Sequence, residues 1–118
     1  MNEEYQRKIA IMHLDHSVGH KRNVIVLNNN SFTHELAKFL LSWELYKSKS
    51  PFISEALFKN RVGKADVYEL DTMTAYEILV TETDERLAAK REHYPRNVTV
   101  IGIKAGDLIK KHLGEWLK

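Results

Sequence analysis

Acidic residues in segments of strand character are the chemically informative feature of this chain. In Val62 to Leu70 side chains alternate, so Lys64, Asp66 and Tyr68 share a face. In Thr74 to Thr81, Ala75, Glu77, Leu79 and Thr81 share a face, with Tyr76, Ile78 and Val80 opposite. In Pro51 to Phe58, Glu55 lies between Ile53 and Leu57. An ionised carboxylate among apolar neighbours requires a metal, a cation or several hydrogen bonds. Three acids on three consecutive strands can converge on a divalent cation, and hard oxygen ligands with retained water suit magnesium or manganese. Such an ion activates water and stabilises charge developing at phosphorus.

The elements that must position these acids follow from periodicity. Tyr5, Ile9 and Met12 fall on one face of a helix from about Asn2 to Leu14. A polar connection from Asp15 to Asn23 leads to Val24-Ile25-Val26-Leu27, which has the composition of a short strand. Asn28 to Ser31 form a turn and supply N-cap candidates. Leu36, Phe39, Leu40, Trp43 and Tyr46 repeat at three and four, which predicts a helix from about Phe32 to Lys47, closed before Pro51. The three strand segments come next, the last two joined by a hairpin at Asp71 to Thr74. A helix from about Glu82 to His93 follows, with Thr81 and Asp84 at capping-box spacing. Val98 to Ile103 is a near-continuous apolar run, as expected of a strand buried on both faces. Gly106-Asp107 opens a last helix with Leu108, Ile109, Leu113, Trp116 and Leu117 on its apolar side. This order predicts an α/β fold with a mixed central sheet flanked by helices, and a parallel crossover from the third strand to the fourth.

Composition narrows the function classes. The 118 residues suit a single domain, with 43% hydrophobic and 29% charged residues. There is no cysteine, which excludes a disulfide framework, a thiolate metal site and a cysteine nucleophile. No apolar run reaches the roughly 20 residues that span a bilayer, so no membrane partner is expected. Glu3 and Glu4 with no long apolar segment behind them do not read as a secretory signal, so a cytoplasmic location is the default expectation. The formal charge is only +2, yet from Lys38 to Lys64 there are six basic residues and two acids. His20-Lys21-Arg22-Asn23 adds a second basic point, and such patches suit phosphate backbone contact or a solvated face.

Gly63-Lys64-Ala65-Asp66-Val67, a hairpin, and Ala75-Tyr76-Glu77-Ile78-Leu79 together resemble the core of the PD-(D/E)xK nuclease superfamily. That group includes archaeal Holliday-junction resolvases and many restriction endonucleases. Its restriction endonuclease-like core runs helix, three strands, helix, strand, and residues 31–103 follow that order. Residues 1–30 would be an N-terminal helical extension and residues 104–118 a C-terminal helix. The resemblance implies a metal-dependent DNA endonuclease that hydrolyses phosphodiester bonds in duplex or branched DNA. It implies Asp66 and Glu77 as ligands of Mg2+ or Mn2+, with Glu35 on the first core helix completing the site and Glu55 a less standard addition. Many relatives are dimers, and the amphipathic end helices around Trp116 offer a homodimer interface.

One departure bears on activity. The family lysine lies two residues after the second acid, and that position holds Leu79. Lys90 and Lys64 are the candidate substitutes for steadying charge on the phosphate. Without either, the chain would be a weak or inactive relative that binds nucleic acid or assembles. Ordinary roles also stand beside the functional ones. Asp66 could form a salt bridge, Glu35 could complement the helix dipole, Glu55 could pair with Lys64 or Arg61, and Lys90 could face solvent. His13, His16 and His20 match no zinc spacing and are expected in a polar loop. Trp43 and Trp116 are expected as core or interface residues, not base-stacking platforms.

Overall fold

A computed structural model describes residues 3–59 and 63–116 of the chain. Asn2, Arg61, Val62 and Leu117, named above, lie outside the described residues, as do the side chains of Glu3 and Trp116. The elements are α1 (Glu3–Met12), α2 (Phe32–Lys47), β1 (Phe52–Leu57), β2 (Lys64–Glu69), β3 (Thr74–Leu79), α3 (Asp84–Arg91), β4 (Thr99–Lys104) and α4 (Ala105–Trp116). The fold is α/β, with four helices on an open four-stranded mixed sheet of order β1-β2-β3-β4. β1, β2 and β3 are antiparallel neighbours, and β4 joins β3 in parallel through α3. Among the described residues no helix is long and apolar enough to cross a membrane.

The sheet is packed on both faces. Phe52, Val67 and Ile78 meet Ala37, Leu40, Leu41 and Leu45 of α2 and Leu108 of α4. On the opposite face Ile53, Tyr68, Ala75 and Leu79 meet Ala10 of α1, Leu87 of α3 and Tyr94. Burying each of these large side chains contributes about 1.5–3 kcal/mol. Tyr68 donates to Ala10 O at 3.1 Å, which fixes α1 on the sheet. Gly102 of β4 lets α3 approach closely. A Cβ there would lie 2.5 Å from Leu87 Cδ2 and 2.8 Å from Leu79 Cδ1.

Four local expectations are corrected. Val24-Ile25-Val26-Leu27 is not a strand. It lies against β1 through one side chain instead, with Val26 N–H donating to Ser54 Oγ at 2.7 Å and Ser54 Oγ donating to Val24 O at 2.7 Å. The N-cap of α3 is Thr83, which accepts from Arg86 N–H at 3.3 Å, so Thr81 plays no capping role. β4 is an edge strand, and Ile101 is 40% exposed, so the run is not buried on both faces. Of the two places expected for Trp43, core or interface, the core is excluded, because it is 44% exposed and stacks on Tyr46. α2 itself begins at Ser31, whose hydroxyl caps His34 N–H, and ends before Pro51 as its sequence dictates.

Candidate active site

The β2–β3 ladder runs from Glu69–Thr74 to Val67–Tyr76. One residue further, the carboxylate of Asp66 takes the N–H of Ile78 at 2.7 Å in place of a backbone carbonyl. The strands part here, and the gap opens into a cavity of about 360 Å³. Asp66, Glu77, Lys64, Lys90, His34 and Tyr94 all line it. His34 enters from the first turn of α2, and its Nε2 lies 3.3 Å from Asp66 Oδ2.

Glu77 is the most perturbed acid. Burial, first, pushes its pKa up to about 7, and the Asp66 charge and a hydrogen bond between the two carboxyls add to the rise. The Tyr94 hydroxyl bond and the Lys90 charge oppose it. Glu77 therefore holds a proton near neutral pH. Tyr94 makes a short bond to Glu77 Oε1 and also lies 2.9 Å from Lys64 O. Burial and the Glu77 charge raise its pKa far above the ordinary phenol range, so it stays a hydroxyl. Its one hydrogen can serve only one of the two acceptors, and a proton on Glu77 relieves that competition. Phe58 holds the Tyr94 ring edge-on at 5.3 Å, and Gly63 leaves room for it, since a Cβ there would lie 3.2 Å from Tyr94 Cε1.

The other two predicted ligands form a neighbouring cluster, linked to the cavity by His34, 4.0 Å from Glu35, and by Lys64. Glu35 and Glu55 converge on Lys38, whose side chain is fully buried. Lys38 Nζ is 2.6 Å from Glu35 Oε2 and 3.9 Å from Glu55 Oε1. Burial disfavours the Glu35 carboxylate, but Lys38 and the Asn28 N–H at 2.9 Å outweigh it and hold its pKa below the usual value. Glu55 also takes Lys64 Nζ at 3.3 Å and the Asn28 amide. It sits within β1 at φ 51°, a left-handed conformation rare for a side-chain-bearing residue in a strand, and the β1–β2 register skips it. Among the described residues no group of three or more His, Asp or Glu side chains is arranged to hold a metal.

Of the two candidate lysines, Lys64 is engaged by Glu55, whereas the charge of Lys90 acts on Glu77. Leu79, in the position where a lysine would stand, is buried in the core. The three histidines of the N-terminal connection do not form a site. His20 Nε2 accepts Leu57 N–H at 3.1 Å and His16 is exposed. His34, Lys38 and Tyr94 escaped the sequence reading. The signal for the first two was present, because His34, Lys38 and Ser42 recur every fourth residue on the buried stripe of α2. Comparison with protein-family models, curated proteins and solved structures finds no match for the chain.

Proposed function

We propose that the chain is a metal-dependent phosphodiester hydrolase acting on DNA, of the PD-(D/E)xK type. One observation carries this: two carboxyls from adjacent strands, Asp66 and Glu77, line one polar cavity together with a cationic side chain, Lys90, whose charge acts on Glu77. The helix–three-strand–helix–strand order of residues 32–104, with β4 joined to β3 in parallel, supports the same family core.

The residues fit a hard divalent ion. Two adjacent buried carboxylates repel each other unless protonated or neutralised, and magnesium typically takes one or two protein carboxylates with water and substrate phosphate filling the rest. Asp66 and Glu77 would hold Mg2+ or Mn2+, which when bound supplies an activated water and polarises the phosphoryl oxygens. Asp66 is fixed for this by Ile78 N–H and His34, and Glu77 by Tyr94. Lys90, on the last turn of α3, would meet the charge developing on the phosphate.

A second proposal, a nuclease-fold protein that binds DNA without cleaving it, is favoured by Leu79 alone. Plasmid and branched-DNA cleavage with and without Mg2+ separates the two. Cleavage is expected with the ion present and lost in Asp66→Ala and Glu77→Ala. Activity that survives both substitutions overturns the assignment, and DNA binding without calorimetric uptake of Mg2+ or Mn2+ selects the non-catalytic form.

A further inference from the structure

The other end of the sheet carries a second cavity, of about 560 Å³, near Pro51. Leu70 N–H bonds Pro51 O, and four residues of β2 separate Leu70 from Asp66, about 13 Å of extended backbone. Arg22, Lys47 and Lys49 meet in its wall, joined by Tyr46. Arg7 also lines it but is clamped on Asp71 at 2.5 and 3.1 Å. Among the described residues no carboxylate lines this cavity, and Arg22, Lys47 and Lys49 form no ion pair.

The basic residues are delivered by two separate devices. Asn23 N–H donates to Phe52 O at 2.8 Å and Phe52 N–H donates to Asn23 Oδ1 at 3.2 Å, which pins Arg22 beside the start of β1. Lys49 stands just past the C-terminus of α2, where Ser50 N–H bonds Leu45 O at 2.9 Å and Lys49 N–H bonds Tyr46 O at 3.1 Å. That closure needs a left-handed residue, normally glycine, and Lys49 adopts it at φ 60°. Trp43, Tyr46 and Lys47 share one helical face. The Trp43 and Tyr46 rings stack at 6.0 Å and 26°, and they are 44% and 57% exposed.

We propose that this end of the molecule binds single-stranded nucleic acid. Arg22, Lys47 and Lys49 hold the phosphates, and an unpaired base stacks on the Trp43–Tyr46 pair. Exposed flat rings beside unpaired cations match the two requirements of a single strand, a π-surface and a polyanion track. The uncompensated cations disfavour a second copy of the same face. A duplex satisfies the cations but hides its base faces from the rings.

The test is anisotropy of labelled strands of about ten nucleotides, within the usual site size, in chelator so that cleavage is silent. Oligothymidylate, oligouridylate and a hairpin duplex of equal length are compared on the full chain. At least one single strand is expected to bind more tightly than the hairpin, and the tighter of the two names its sugar. Trp43→Ala is expected to weaken that strand about tenfold or more, with Trp43→Phe intermediate. Combined Arg22→Ala, Lys47→Ala and Lys49→Gly is expected to flatten the salt dependence by about two, at about 0.7 per phosphate. Lys49→Gly alone relieves the left-handed backbone, so its loss of binding is not a folding failure. Unchanged affinity in Trp43→Ala, an unchanged salt slope, preference for the hairpin, or a dimer in solution that buries Trp43 overturns the proposal. Failure of the nuclease assignment leaves every one of these outcomes in place.

Discussion

Replacing Glu77 by glutamine tests its raised pKa directly. Glutamine keeps the shape, keeps an oxygen to accept from Tyr94, and is neutral at every pH, as Glu77 is when protonated. The sign follows from the raised pKa. Between the ordinary 4.5 and about 7 the folded chain holds a proton that the unfolded chain has released. Stability from this group is therefore full below pH 4.5 and is lost as pH rises through about 7. That gap corresponds to a cost of about 3 kcal/mol at pH 8. At about 2.1 cal/mol/K per residue over the chain, each kcal/mol moves Tm by about 4 °C. Part of the gain is returned in desolvating the amide, so Glu77→Gln is expected to melt about 5–10 °C above the parent at pH 8 and level with it at pH 5. Calorimetry at both pH values, with and without Mg2+, is the assay. The ion should raise the parent's Tm at pH 8, because it neutralises the pair, and should raise the variant's much less. An equal Tm difference at pH 5 and pH 8, or a variant that melts lower at pH 8, refutes the raised pKa of Glu77.

Lys38→Met leaves Glu35 without its cation and Glu55 with Lys64 alone, and is expected to cost about 3–5 kcal/mol by urea denaturation. Gly102→Ala drives a methyl into Leu87 and Leu79, so a loss of about 1–3 kcal/mol is expected, measured the same way. Lys49→Gly removes a left-handed side chain and is expected to raise stability by about 0.5–1 kcal/mol while strand binding falls. Burial, opposed by Asp15 and aided by His16, lowers the pKa of His20, which accepts Leu57 N–H in neutral form. Its stability contribution is therefore present above pH 6.5 and lost as pH falls below it. In a pH series of melts, His20→Asn should blunt that acid-side loss.

Much of the fold was legible because its boundaries are local. Ser31 and Pro51 bracket α2, and the β2–β3 hairpin turns where Asp71 and Thr72 lie. What failed depended on the neighbours of a segment. Val24 to Leu27 has strand composition, but Ser54 Oγ takes both of its nearest backbone partners, so no ladder forms. Val98 to Ile103 reads as doubly buried, yet among the described residues no strand pairs beyond β4, and Ile101 is 40% exposed. In the candidate site, Asp66 and Glu77 were visible as acids on alternating faces, because strand period alone brings cross-strand neighbours together. Tyr94 was not visible, because it arrives from a turn after α3, a placement that no periodicity encodes.

The two ends of the sheet are built by the same device. A side-chain-bearing residue is held in left-handed backbone inside or just beyond a regular element: Glu55 in β1 and Lys49 past α2. Each position conflicts with local preference; Lys49 carries its charge to the Pro51 cavity, and Glu55 holds Lys64 on the wall of the Asp66 cavity. Such conflicts persist where surrounding structure over-determines them, and they cluster at working sites. The small formal charge of +2 is then a sum over a separated pattern. Acids with their buried lysine gather where β2 and β3 part, and unpaired bases gather where β1 begins. A strand of nucleic acid gripped at the basic end could run the length of β1 to reach the carboxyl pair. Backbone contact and chemistry would then sit on one rigid sheet rather than on loops, which is the arrangement that holds reacting groups to a fixed separation.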